Sequence, residues 1–571
     1  MKYHAFMHIV RRGFVLGIGS TAILAACGGD GDTASSAAST TSTSDPSTPN
    51  KTPAELCAGL QNLEIPAATI GLPTTGASVS SATLIASTEA GNQSGEYCKV
   101  LGKIHPVDFQ APDIRFEVDL PSNWNEKSVH FGGGGLDGTI PATASFALSA
   151  LTLLERPGTK TPLARGFVTL GSDSGHQGTS FEGVFLKNDE ALANYAGDHV
   201  KKTHDVAAFL TQSRYGKPVT HSYYIGGSGG GRQGLVAAQR YPADYDGVIS
   251  TFPASELLGL SFAMGRVSQA SLATGGFITS EKATVLKAAV MAQCDALDGA
   301  TDGVVSNPTA CNFDPSTLRC PGGADTGNTC LSDAQLHTVS TIATPLTTAF
   351  DFANGIRSIP GFNILAGTDF WNGPLAPLGL SPTEALADPA SSHGSFFYAF
   401  PYGLVNFAIS RTQLVDLMSF NVSDPGAFTA RTQAVSNMVD ATSTDLNAFK
   451  ARGGKLILQH GQSDQFIPAQ MSVDYYNRLL TQYGQATVNE FVKFYLVPGA
   501  AHGFGGQFGG AYDALTVLDD WVTRGTTPNA LVITDINEPT AGRTRPLCEY
   551  PTWPKYLGGD VNSAASFTCA Q

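Results

Sequence analysis

Three residues of this 571-residue chain have the types, the order and the local settings needed to cleave an acyl bond: Ser228, Asp464 and His502. Ser228 sits in Gly226–Gly227–Ser228–Gly229–Gly230, a G-x-S-x-G run. Ser222–Tyr223–Tyr224–Ile225 before it reads as a short buried strand. From Arg232 onward, Leu235, Val236, Ala237 and Ala238 follow at helical spacing. Small neighbours let the chain turn sharply between strand and helix, which holds the hydroxyl at the tip near the helix N-terminus. The backbone N–H groups there favour a developing oxyanion. A phosphate-binding turn is the other common use of such glycines, but the run has no G-x-x-x-x-G-K-[ST] pattern and no lysine.

If Ser228 is the nucleophile, an acid and then a histidine should follow it. Lys455–Leu458 reads as a strand leading to His460–Gly461–Gln462–Ser463–Asp464. Phe491–Leu496 reads as another, leading to Pro498–Gly499–Ala500–Ala501–His502. His502 would take the Ser228 proton, and Asp464 would hold its tautomer and stabilise the imidazolium. His176, His199, His204, His221 and His460 compete, but only His502 follows a C-terminal strand in the required order. Upstream, Val129–Phe131 runs into Gly132–Gly133–Gly134–Gly135–Leu136–Asp137–Gly138, the strand-then-glycine layout of the second half of an oxyanion hole.

These loops need strands to carry them. Residues 98–120 alternate apolar and polar as an antiparallel hairpin. Gly166–Leu170 and Asp246–Ser250 read as buried strands, and Asn194–Gln212 as a helix. Strands alternating with helices predict an α/β fold with a parallel sheet. From 255 to 447 the rhythm is helical, loop-rich and cysteine-bearing, which predicts a lid domain inserted into a catalytic domain of residues 53–254 and 448–571. Trp371, Phe396, Phe397 and Phe400 in the lid either wall a pocket or pack its core.

Charged residues are only 14% of the chain and hydrophobic ones 42%, as in a globular body with a sizeable core. The formal charge of −14 argues against binding nucleic acid or an anionic membrane surface. Arg11–Arg12 precede an apolar run from Phe14 to Ala26, too short to span a bilayer, which ends in Leu24–Ala25–Ala26–Cys27. This resembles a bacterial lipoprotein signal (residues 1–27) with Cys27 as the lipidated residue, and Arg-Arg-x-Phe is in keeping with twin-arginine export. Gly28, where an aspartate would retain the protein at the inner membrane, implies an outer-membrane anchor, and residues 28–52 form a Ser/Thr-rich tether. Eight cysteines remain. Their even number in an exported chain predicts disulfides, and sequence neighbours suggest Cys57–Cys98, Cys294–Cys311, Cys320–Cys330 and Cys548–Cys569 among the many possible pairings. Asp295, Asp298 and Asp302, broken by glycines, are suited to wrapping one hard cation; plain Asp-Gly turns are the alternative.

The stretches GGGGLDG, SYYIGGSGGGRQGLVAAQRYPADYDGVI, CDALDGATDGVVSNPTACNFDP, FKARGGKLILQHGQSD, PGAAHGFGG and RPLCEYP…SFTC resemble the tannase and feruloyl esterase family from Cys57 to Cys569. That family also contains mono(2-hydroxyethyl) terephthalate hydrolases. The resemblance implies an α/β-hydrolase core, a lid over the pocket, a monomer and a small aromatic ester as substrate. It implies a structural calcium ion on the carboxylates of Asp295, Asp298 and Asp302 and the carbonyls of Ala300 and Val304, with no organic cofactor. The oxyanion hole would combine the N–H of Gly229 with one from the glycine loop, Gly135 foremost and Gly134 beside it. A non-catalytic surface lipoprotein and a serine peptidase of the same fold are the rival readings. One departure stands out: family members carry a disulfide between the residue before the serine and the residue after the histidine, where this chain has Gly227 and Gly503. The His502 loop should therefore be looser than in disulfide-bearing members.

Overall fold

The computed structural model describes residues 51–145, 158–370, 377–379, 381–382, 395–503 and 505–571. The leader, Cys27, nearly all of the tether and Trp371 lie outside the described residues. Residues 51–571 make up one compact unit.

Eight strands precede the insertion: β1 (Glu64–Ile65), β2 (Gly76–Ile85), β3 (Tyr97–His105), β4 (Ile114–Pro121), β5 (Lys127–Phe131), β6 (Val168–Ser172), β7 (His221–Gly227) and β8 (Gly247–Thr251). Within the insertion, β9 (Leu346–Thr347) and β10 (Ser358–Ile359) pair as a small ribbon. After it come β11 (Lys455–Gly461) and β12 (Val492–Val497). All but the ribbon join one sheet in the order β1-β2-β3-β4-β6-β5-β7-β8-β11-β12. The pairs from β1 to β4, and β4 with β6, are antiparallel; the rest of the sheet, from β6 to β12, is parallel.

Side-chain pattern explains the two halves. In β3 the buried Cys98, Val100 and Ile104 alternate with half-exposed residues, because one face of the antiparallel part meets the core. The parallel strands β6 and β8 are buried along their whole length, since helices cover both faces. The predicted hairpin at 98–120 is β3–β4. The strand expected at Gly166–Leu170 starts two residues later, because Gly166 adopts φ 88° and closes a short helical turn. The expected helix at 194–212 is preceded by an irregular wide turn, Asn194–Asp198, in which Gly197 has φ 157°; the regular helix is His199–Tyr215. β1 and β2 have no clear apolar alternation in sequence, β2 being rich in Ser and Ala.

The inserted segment is mostly helical, with helices Leu257–Leu272, Ser280–Cys294, Asp333–Ala343, Phe396–Gly403 and Thr429–Val439. Its apolar core runs without a break into Leu136, Leu192 and Tyr195, and into Phe466, Ile467 and Met471. The insertion is thus packed directly on loops that leave the carboxyl ends of β5 and β11. The cysteines pair as Cys57–Cys98, Cys294–Cys311, Cys320–Cys330 and Cys548–Cys569. Among the described residues, no helix is long and apolar enough to cross a membrane.

Candidate active site

β7 ends at Gly227 and the next helix begins at Gly229, leaving Ser228 alone in the turn at φ 59° and ψ −122°. A side chain rarely adopts such a φ, and the surroundings hold it there. The Ser228 N–H donates to Thr251 O at 3.0 Å, while the N–H groups of Ala254 and Arg232 donate to Ser228 O at 3.1 and 3.0 Å. The flanking glycines are steric necessities. A Cβ on Gly226 would lie 2.4 Å from Gly230 O, one on Gly230 would lie 2.6 Å from Gly133 O, and one on Gly231 would lie 2.5 Å from Thr251 O.

The loops after β11 and β12 bring Asp464 and His502 to this serine. His502 Nε2 is 3.0 Å from Ser228 Oγ, and His502 Nδ1 is 2.8 Å from Asp464 Oδ2. The other carboxylate oxygen, Oδ1, accepts the N–H groups of Phe466 and Ile467, each at 2.8 Å. Burial alone would raise the Asp464 pKa, but the His502 charge and hydrogen bonds from His460 and His502 outweigh it, so the carboxyl is held well below the usual range. With Nδ1–H donating to that carboxylate, Nε2 is left to accept the serine proton.

Three of the competing histidines, His460, His199 and His204, are bonded elsewhere. His460 also lies beside Asp464, at 3.4 Å, but its Nδ1 meets Ser472 Oγ and its Nε2 meets Ile467 O. His199 bonds Asn194 O and is held down to about 4 by burial, as is His176. His204 meets Asp205.

Opposite the histidine, the glycine loop after β5 lies against the nucleophile turn. A Cβ on Gly229 would fall 2.9 Å from Gly135 O and 3.2 Å from Gly135 N, and Gly135 itself has φ +58°. Among the described residues, the N–H groups of Gly134, Gly135 and Gly229 have no protein acceptor. Free donors beside an activated hydroxyl are what an acyl-transfer site requires. The model of the tannase and feruloyl esterase family matches residues 98–570.

The chain belongs to the tannase and feruloyl esterase family.

Like other members, it is a carboxylic ester hydrolase. It is 40% identical over 532 residues to an uncharacterized esterase of Agrobacterium fabrum, covering 90% of this chain and 93% of the relative. It is 32% identical over 531 residues to the mono(2-hydroxyethyl) terephthalate hydrolase of Piscinibacter sakaiensis, covering 83% and 85%. The crystal structure of feruloyl esterase B from Aspergillus oryzae superposes with a TM-score of 0.72 at 23% identity, over 91% of this chain and all of that one, and shows the same α/β-hydrolase fold.

Several parts of this esterase's site were not singled out in the sequence. The Phe252 ring lies 4.7 Å from His502, and the Phe466 ring 5.2 Å from it. Phe396 stands edge-on to Phe466 at 5.0 Å, and Phe181 edge-on to Phe396 at 5.6 Å. Of the aromatics of the inserted segment named above, Phe397 and Phe400 are core, while the half-buried Phe396 packs on Phe466 beside the histidine. Gln465 Oε1 accepts the His502 N–H at 3.2 Å. Phe466 and Gln465 were findable as immediate neighbours of Asp464; Phe252 and Phe181 come close only through the fold. At the position of the absent disulfide, Gly503 has φ +81°, a conformation strained for cysteine. The His502 loop is instead tied to the Asp464 loop by backbone links, including Ser463 N–H to Ala500 O at 2.9 Å.

In the acidic loop, Asp295 accepts Gly303 N–H, Asp298 accepts those of Ala300 and Ser306, and Asp302 accepts that of Val304. Burial, with the Asp302 charge adding to it, raises the Asp295 and Asp298 carboxyls from their ordinary value. Arg545 pairs with Asp302, and Arg543 donates to the Asp302 carbonyl, so the loop is clasped by the C-terminal segment. Arg543 is neutralised by its pair with Asp535, so the three carboxylates and Arg545 leave two negative charges, which suits a divalent cation in chemistry. Among the described residues, however, only His204, Asp205 and Asp244 bring three ligand atoms within 4.8 Å of one another, and there the Lys201 ammonium already bridges the two carboxylates.

Proposed function

We propose that this esterase is an exported serine hydrolase that cleaves esters of small aromatic acids through an acyl-enzyme. The carrying observation is the unbroken chain Asp464–His502–Ser228, at 2.8 and 3.0 Å, facing the free N–H groups of Gly229 and Gly135. His502 Nε2 removes the Ser228 proton as Oγ attacks the ester carbonyl. Asp464 keeps Nδ1 protonated and balances the imidazolium, and the carbonyl oxygen becomes an oxyanion held by Gly229 and Gly135, with Gly134 next in line. His502 then returns its proton to the departing alcohol. Water, activated by the same nitrogen, releases the acid and Ser228. The rings of Phe252, Phe466 and Phe396 supply an apolar wall for a flat acyl group. The names of the relatives, terephthalate monoester hydrolase and feruloyl esterases, support the aromatic class.

Asp295, Asp298 and Asp302, with the carbonyls of Ala300 and Val304, are the residues that would hold a structural calcium ion. Its chemistry would be charge neutralisation, tying the acidic loop to the C-terminal segment. Residues 255–447 act as the lid, and Cys27 is the lipid attachment point to the outer membrane.

The test compares the chain from Gly28 onward with Ser228→Ala on methyl ferulate, methyl gallate and mono(2-hydroxyethyl) terephthalate, together with the corresponding amides. Acid release from one of the esters, lost in the alanine variant and absent with the amides, supports the proposal. Silence on all three esters refutes the acyl class, and amide cleavage at a similar rate points to a peptidase.

A further inference from the structure

The oxyanion loop turns at a glycine, a residue with wide backbone freedom, and something must hold it. Gly135 sits at φ +58° with its N–H free among the described residues and its nitrogen 3.2 Å from where a Cβ on Gly229 would lie, so the other side of the residue has to be fixed by the protein. Two bonds do this. The Leu136 N–H donates to Ser180 O at 2.9 Å, and the Tyr195 hydroxyl donates to Gly135 O at 3.2 Å. The peptide between Gly135 and Leu136 is therefore held at both ends, and among the described residues the only side chain doing so is that of Tyr195.

Tyr195 is itself secured from the nucleophile helix. Arg232, four residues after Ser228 and fully buried, donates to Tyr195 O at 2.9 Å and to Ala196 O at 3.0 Å; its guanidinium lies 4.8 Å from the Tyr195 ring centre. It also donates to Val439 O in the inserted segment at 2.9 Å. Tyr195 lies in the irregular turn Asn194–Asp198, which displaces its backbone from regular helix and leaves those carbonyls free for the arginine. Burial keeps the phenol far above its ordinary range, so it stays a neutral donor.

We propose that Tyr195 is a positioning residue for the oxyanion hole: its hydroxyl, anchored through Arg232 to the helix that begins beside Ser228, holds the carbonyl end of Gly135 and so limits how the Gly135 N–H can turn relative to Gly229. The inference rests on the proposed acyl-enzyme reading. It links the two halves of the hole, which come from loops after different strands, through one buried circuit. The hole keeps its shape because both donors are referred to the same helix.

The experiment uses Tyr195→Phe in the full protein, with Tyr215→Phe as control, since Tyr215 also loses a buried phenol bond, to Pro121 O at 2.7 Å, but far from the serine. In Tyr195→Phe, kcat should fall on the order of tenfold with KM within about twofold, less than the 10²–10³ that loss of a whole oxyanion donor costs. Affinity for an arylboronic acid, which forms a tetrahedral adduct on serine, should fall in proportion, while affinity for the free product acid should hold. Tyr215→Phe should lower the melting temperature and leave kcat unchanged. A Tyr195→Phe variant with kcat within twofold of wild type, or one whose loss is all in KM, would overturn the proposal. If that variant does not fold, 2,3,5-trifluorotyrosine at position 195, which keeps the ring and has a more acidic hydroxyl, should change kcat; no change would overturn it. Rates of Ser228 labelling by a fluorophosphonate separate the two levels. Wild type that labels but turns over no aromatic ester loses only the substrate class, and the labelling ratio then judges Tyr195. Wild type that does not label refutes the triad and this proposal together.

Discussion

Replacing Asp464 by asparagine tests the catalytic reading at its most sensitive point, because the structure dictates how the amide must lie. Oδ1 accepts two backbone N–H groups at 2.8 Å, and Oδ2 faces His502 Nδ1 at 2.8 Å. Turning the amide so that its NH2 meets the two backbone donors would strand both of them in a buried site, at about 1–3 kcal/mol each. The amide oxygen therefore stays on Phe466 and Ile467, with a preference of roughly 2–6 kcal/mol, and the NH2 points at the histidine. His502 must then accept at Nδ1 and carry its proton on Nε2, where it faces a serine hydroxyl it can no longer deprotonate. The expected loss in kcat is about 10⁴, near 5.5 kcal/mol in the barrier, with KM little changed. Steady-state hydrolysis of the best ester, with circular dichroism to confirm the fold, measures it. A folded Asp464→Asn enzyme within tenfold of wild type would refute the assignment of Asp464.

Gly230→Ala places a methyl group 2.6 Å from Gly133 O, so the oxyanion loop must retreat by about 0.8 Å to reach ordinary contact; kcat should drop about 10²-fold or more in a protein that still folds, and retention of activity would show that the loop yields without cost. Glu256 is buried with one oxygen unpartnered and Arg478 3.8 Å from the other, and burial pushes its carboxyl up to about 8. The folded state therefore binds that proton more tightly than the unfolded chain. Its penalty is absent below about pH 4.5 and grows by up to about 1.4 kcal/mol per pH unit as pH rises toward 8. Glu256→Gln should accordingly raise the melting temperature at pH 8 and lose that advantage near pH 4.5; an equal gain at both values would contradict the assignment. If calcium occupies the acidic loop, chelation should cost wild type roughly 2.7 kcal/mol of folding stability relative to a hundredfold excess of ion over Kd, read as a lower melting temperature, and should leave Asp298→Ala unmoved; an unchanged wild-type midpoint would dispose of the ion.

Local chemistry made much of this molecule legible before any fold was known. A serine among small residues between strand and helix, an acid and a histidine each just past an apolar strand, and cysteines in sequential pairs are short-range patterns, and the structure places Ser228, Asp464, His502 and all four disulfides accordingly. What depends on distant segments was not legible. Phe252 and Phe181 come near the site only because β8 ends beside β7 and the loop after β6 meets the inserted segment. Arg232, Tyr195 and Gly135 form one circuit across segments that share no sequence pattern. Periodicity reports which face of an element is buried, not which partner buries it; that is decided by long-range packing, and here packing chose the rings around His502 and the contacts that hold the Gly132–Gly135 loop.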